Sequence, residues 1–204
     1  MKTFCFKKNQ LINFSLIEYE YTLLMNKKMW VGMIKDTFKY LKYYDELVKN
    51  LPNDYLSYIQ KFKSKQYRLQ SALNYLMLKQ YLQKETKIIF NPLGKPFINE
   101  SDVYFNTSHL ENSTICVIYP KNVGIDLVKI ESYTDEIANL ICNKEELKLY
   151  KNNHFEIAKL IAQKESYIKM RGQNLTYLKQ SIPKRTKFIF KKISETMICS
   201  ICYD

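Results

Sequence analysis

Apolar residues recur at spacings of three and four between 154 and 171, where Phe155, Ala158, Ile161 and Ile168 mark one stripe of a predicted helix. Glu165 falls four after Ile161 and three before Ile168, on that same stripe. A second helix is predicted over 65–84, with Ala72, Tyr75, Leu76 and Leu82 on its buried face. Leu51-Pro52-Asn53-Asp54 reads as a helix entry. Thr134 and Asn143 read as N-caps, and Glu146, three after Asn143, completes a capping-box pattern. Gly172 stands where a helix commonly ends in a left-handed residue.

Strand-like runs cover 29–35, 103–106, 114–119, 123–130, 187–192 and 195–203. Asn91 to Pro96 reads as a turn, and Pro120-Lys121-Asn122 as a hairpin loop joining the strands on either side. Residues 1–28 precede the first convincing strand and read as an N-terminal extension, with Met25 and Met29 as alternative starts. This order of elements predicts an α+β protein, with helices packed on antiparallel sheets.

Glu165 is thus a carboxylate on an apolar stripe, and Asp126 interrupts the run Val123 to Val128 in the same way. A carboxylate facing a core is costly unless a cation satisfies it. A neighbouring lysine or a metal ion would do so, and two such carboxylates suggest a divalent cation between them. On a strand Gly124, Asp126 and Val128 share one face, and glycine there permits close approach of another element.

With 46% hydrophobic and 25% charged residues, the chain has the composition of a globular protein. It has no apolar run of membrane-spanning length, and Glu18 and Glu20 break the N-terminal apolar stretch. The net charge of +12 fits nucleic acid, an anionic membrane surface, or a small polyanion with an acidic protein partner. No helix-turn-helix, zinc-finger ligand set or focused basic stripe supports nucleic acid. The cysteines, Cys5, Cys116, Cys142, Cys199 and Cys202, are odd in number and scattered, as expected of reduced thiols in a cytoplasm. Cys199 and Cys202 fit a CxxC spacing, but the segment reads as a strand, which would turn the two thiols to opposite faces.

Four clusters carry candidate chemistry: Gly94-Lys95-Pro96, Phe105-Asn106-Thr107-Ser108-His109, Gly124-Ile125-Asp126, and Lys164-Glu165-Ser166 with Lys169. The second reads as a strand running into a polar turn, where hydroxyl, imidazole and backbone N–H groups can hold phosphate oxygens. In order and wording, the four clusters resemble the 4′-phosphopantetheinyl transferase superfamily, Sfp type. The likeness covers residues 94–175 well and 51–93 more weakly, where Arg68 stands at a usually basic position.

That resemblance implies two similar, pseudo-twofold-related halves, 29–122 and 123–204, with coenzyme A between them and the metal and catalytic residues in the second. It implies transfer of 4′-phosphopantetheine from coenzyme A to a serine of an apo acyl or peptidyl carrier protein, with release of 3′,5′-ADP. Asp126 and Glu165 would hold Mg²⁺. Arg68, Lys95, Pro96, Ser108, His109 and Lys164 would contact coenzyme A. Glu165 would help deprotonate the carrier serine, and Lys169 would offset charge on the transferred phosphate. A cytoplasmic monomer is expected, with no nucleic acid and no membrane partner. The positive charge would then serve a polyanionic co-substrate and an acidic carrier. Val128 stands where the family usually has a further acid, Ile161 where it has a tryptophan. The Val128 departure motivates an alternative, a catalytically impaired member that binds coenzyme A or a carrier protein.

Overall fold

The computed structural model describes residues 7–9, 19–26, 28–83, 87–131, 135–150 and 153–204. The chain divides into two compact units, 1–120 and 121–204.

In the first unit, β1 (Lys7–Asn9), β2 (Tyr19–Leu24), β3 (Met29–Ile34), β6 (Tyr104–Leu110) and β7 (Ser113–Tyr119) form an antiparallel sheet in the order β1-β2-β3-β7-β6. β3 and β7 are buried along their whole length, which explains their continuous apolar runs. Between β3 and β6 the chain forms a 3-10 helix (Phe38–Tyr43), α1 (Tyr44–Val48), α2 (Asn53–Ile59), α3 (Lys65–Leu82) and the small hairpin of β4 (Ile88–Phe90) and β5 (Pro96–Ile98). Ser64 caps α3 by accepting a hydrogen bond from the Tyr67 N–H, and Gln83 ends it in the left-handed region. Leu69, Leu73, Leu76 and Met77 of α3 pack into a core with Trp30, Tyr55 and Ile118.

In the second unit, β8 (Val123–Lys129), β10 (Met197–Tyr203) and β9 (Lys187–Ser194) form an antiparallel sheet with β10 in the middle. α4 (Asp135–Ile141) and α5 (Lys144–Tyr150) lead into α6 (His154–Arg171), which lies across β8 and β10. A 3-10 turn (Leu175–Tyr177) follows. Asn153 caps α6, and Gly172, at φ 65°, terminates it. Ala158, Ile161, Ala162 and Ile168 bury the apolar stripe against Val128 and Ile198. The capping box forms as expected: the Asn143 N–H donates to Glu146 Oε2 at 2.8 Å, and Asn143 Oδ1 accepts from the Glu146 N–H at 3.0 Å.

The α+β class is thus as the sequence predicts, but several local readings change. Tyr19–Leu24, within the stretch read as an extension, is a strand paired with β3. Pro120–Asn122 closes no hairpin, because β7 and β8 belong to different sheets. Thr107, Ser108 and His109 lie within β6 rather than in a turn, and the chain reverses at Glu111 and Asn112. Phe155 sits on the predicted stripe yet is 39% exposed. Thr134 and Lys84 lie outside the described residues.

Candidate active site

The sheet of the second unit brings a strand and a helix into unusually close contact. A Cβ placed on Gly124 would lie 2.0 Å from the Ser166 carbonyl oxygen and 2.4 Å from the Met170 amide nitrogen. Only glycine permits that approach, and both obstacles are backbone atoms that cannot swing aside. Two residues along the same face of β8, Asp126 is pressed toward α6 and is 3% exposed. Its partner in register on β10 is Ser200, whose hydroxyl lies 3.0 Å from that of Ser166 on α6. The Ser166 hydroxyl donates to the Gln163 carbonyl, which leaves the Ser200 hydroxyl to donate to Ser166 Oγ. This buried pair ties β10 to the helix turn that carries Glu165.

Asp126, Glu165 and Lys169 meet at this junction. Lys169 Nζ donates to Asp126 Oδ1 at 2.5 Å, as one half of an ion pair. Glu165 is partly buried, and its pKa is pushed up to about 7, first by burial and then by the negative charge of Asp126; Lys169 opposes the rise. A carboxylate balanced near neutrality beside a hydroxyl substrate is suited to accept its proton.

The two carboxylates stand on a strand and a packed helix, so little motion is available to either. Hard oxygen donors of this kind, with one or two carboxylates and the rest from water and substrate, suit Mg²⁺. Among the described residues no group of three or more His, Cys, Asp or Glu side chains gathers as metal ligands. Val128 faces the core with Ile141, Ile157 and Ile161 instead of adding an oxygen. A cation held by Asp126 and Glu165 would therefore complete its shell from outside the protein.

Lys164 goes elsewhere. It is 1% exposed, and its ammonium donates to Glu146 Oε2 at 2.6 Å, to the Leu178 carbonyl at 2.8 Å and to the Ile141 carbonyl at 3.0 Å. Three acceptors match its three donors. In this arrangement Lys164 fastens the end of α4, the start of α5 and the 3-10 turn onto α6, and offers no donor to a phosphate. Sequence reasoning did not find this clamp. The capping box exposed Glu146, but two of the three acceptors are backbone carbonyls that no residue type announces.

The remaining candidates belong to the first unit. Lys95 and Pro96 lie on the β4–β5 hairpin, where Asn91 Oδ1 accepts from the Lys95 N–H at 2.8 Å and Gly94 takes φ 84°. Ser108 is buried on β6, and its carbonyl accepts from the Thr114 hydroxyl. The His109 ring lies 4.7 Å from that of Tyr67 on α3. Arg68 follows Tyr67 along that helix, and its Nε is buried with no hydrogen-bond partner. His109 thus sits beside Tyr67 of α3, whereas Lys95 stands on a separate hairpin. Of the CxxC pair, Cys199 and Cys202 are both buried, and Cys202 donates its weak hydrogen bond to Met170 sulfur at 3.6 Å.

No family profile matches the chain. It is similar to the 4′-phosphopantetheinyl transferase gsp of Aneurinibacillus migulanus, with 30% identity over 140 residues, 63% of this chain and 56% of that protein. The chain therefore spans little more than half the length of this curated relative. The similarity supports the 4′-phosphopantetheinyl transferase superfamily, and the α+β arrangement of helices on antiparallel sheets is compatible with its fold. Among the described residues no helix is long and apolar enough to cross a membrane.

Proposed function

We propose that the chain is a 4′-phosphopantetheinyl transferase of the Sfp type, which moves 4′-phosphopantetheine from coenzyme A to a serine of an apo acyl or peptidyl carrier protein. The observation that carries this reading is the junction of Asp126, Glu165 and Lys169, with Glu165 poised near neutrality. The similarity to a protein of that name supports it independently.

Glu165, directly or through a water, accepts the proton of the carrier serine. The serine oxygen then attacks the β-phosphorus of coenzyme A, and the bond to the departing 3′,5′-ADP breaks. Lys169 places positive charge against the phosphate oxygens as the charge on them rises. Asp126 and Glu165 are the residues that would hold Mg²⁺, which supplies charge neutralisation at the pyrophosphate when bound. Arg68, Lys95, Pro96, Ser108 and His109 are proposed contacts to coenzyme A. Lys164 leaves that group, because its donors are already taken. Catalysis of this kind is chiefly positioning and electrostatics, which a rigid strand–helix junction provides. A cytoplasmic setting is part of this proposal and rests on the odd number and wide scatter of the cysteines.

The test is direct. The protein is incubated with coenzyme A, Mg²⁺ and several apo carrier proteins, and intact masses are recorded. Gain of one phosphopantetheine group by a carrier, abolished by Glu165→Gln, is the expected result. No gain on any carrier with folded protein overturns the reading.

A further inference from the structure

We propose that Lys169 is an internal competitor for the cation site, an ammonium that must leave Asp126 before a divalent cation can take the same oxygen. The inference rests on the reading of Asp126 and Glu165 as cation ligands given above.

The geometry makes the competition explicit. Lys169 Nζ lies 2.5 Å from Asp126 Oδ1, so a divalent cation on that oxygen would stand within about 4 Å of the ammonium, against the repulsion of two like charges. Lys169 is four residues after Glu165 and therefore on the same face of α6, one turn further along. The ammonium thus faces a carboxylate from the strand and another from its own helix.

The two partners differ in freedom. Asp126 is a short side chain, 4% exposed, on a strand pinned against α6 by Gly124 and Ser200. The Lys169 side chain is 32% exposed and ends a flexible four-carbon stem. The lysine is the member of the pair that can move. Its departure frees a positive charge beside the reacting phosphate only once the cation is in place. In this scheme cation loading and delivery of the lysine to the phosphate are one event. The ammonium also keeps the two carboxylates from repelling each other before that event.

Binding of Mn²⁺ alone, without coenzyme A, tests this. Free Mn²⁺ is counted by electron paramagnetic resonance in mildly alkaline buffer, with folding checked by circular dichroism. Lys169→Met is expected to bind Mn²⁺ about tenfold more tightly than the unaltered chain, equivalent to ~1.4 kcal/mol. Lys191→Met, which removes a charge from the neighbouring strand β9, sets the general electrostatic effect and should change binding far less. If Lys169→Met binds no more tightly than Lys191→Met, the inference is overturned and the carboxylate site stands. If none of the folded proteins binds Mn²⁺, the inference and the cation part of the proposed function both fail. Should Lys169→Met not fold, Lys169→Gln takes its place. A second measurement needs no variant: acetic-anhydride labelling of Lys169, read by mass spectrometry, should rise when Mn²⁺ is added. Unchanged labelling at saturating Mn²⁺ also overturns the inference.

Discussion

Asp126 on β8 and Glu165 on α6 face each other closely enough for the charge of one to raise the pKa of the other, to about 7 with the help of burial. The ordinary value is 4.5, so Glu165 is protonated in the folded chain over a range where the unfolded chain is ionised. Folding stability from this group is fully present below pH 4.5, falls as pH rises from there, and levels off above about 7. The loss is on the order of 3 kcal/mol. Glu165→Gln removes it. The variant should be inactive, with kcat down by roughly 10²–10⁴-fold. In alkaline buffer without added metal it should nonetheless melt at a higher temperature than the parent. Thermal melts of both proteins at acidic and alkaline pH check this; a lower melting temperature for the variant at alkaline pH refutes the raised pKa.

Gly124→Ala tests the junction itself. The added methyl would meet backbone atoms of Ser166 and Met170 at 2.0 and 2.4 Å, so the strand and helix must separate. Overpacking of this kind costs about 1–3 kcal/mol, and here no side chain can yield. Urea denaturation should show a lowered midpoint with an unchanged slope. Transfer activity should fall by more than the lost fraction of folded protein, because Asp126 moves away from Glu165 with the strand.

How much of this was legible in the residues follows from what each signal depends on. Helices α3 and α6 announced themselves by periodicity and by local caps, and Asn143 with Glu146 likewise needs only residues close in sequence. Asp126 and Glu165 stood out because a carboxylate at an apolar position needs a partner whatever the fold. The loop Pro120–Asn122 misled, because two apolar strands look the same whether they pair or diverge into separate sheets. Ser108 and His109 misled because polar residues next to a strand suggest a turn. The actual reversal uses Glu111 at φ 49°, a residue type that gives no warning of that conformation. The fate of Lys164 was hidden because carbonyls of Ile141 and Leu178 become acceptors only after the chain has folded.

Lys164→Met should unfold the second unit's helix contacts rather than weaken co-substrate binding alone. It strands Glu146 and two carbonyls without their common donor. Breaking a buried pair on one side costs about 3–5 kcal/mol. The double variant Lys164→Met with Glu146→Gln should recover part of that, since the uncompensated charge is gone. Equilibrium unfolding of the single and double variants supplies the comparison. A normal unfolding midpoint with a raised KM for coenzyme A would return Lys164 to the phosphate contacts.

Arg68 offers the corresponding test in the first unit. Its Nε is buried and has no hydrogen-bond partner, a donor left without an acceptor. An anion supplied by coenzyme A would give that nitrogen an acceptor. Removing the guanidinium therefore removes a binding interaction and also a buried donor that has no acceptor in the folded chain. Arg68→Met, which keeps an unbranched apolar stem, should hold or raise the melting temperature. It should raise the KM for coenzyme A by roughly tenfold or more with kcat little changed, the pattern of an interaction made equally in ground and transition states. Lys169→Met should show the opposite split, with kcat reduced and the KM for coenzyme A less affected, because its charge acts where the phosphate is being transferred. Steady-state kinetics on both variants, against the same carrier and at saturating Mg²⁺, separates the two roles. A common pattern in both would mean that Arg68 and Lys169 act on the same stage of the reaction.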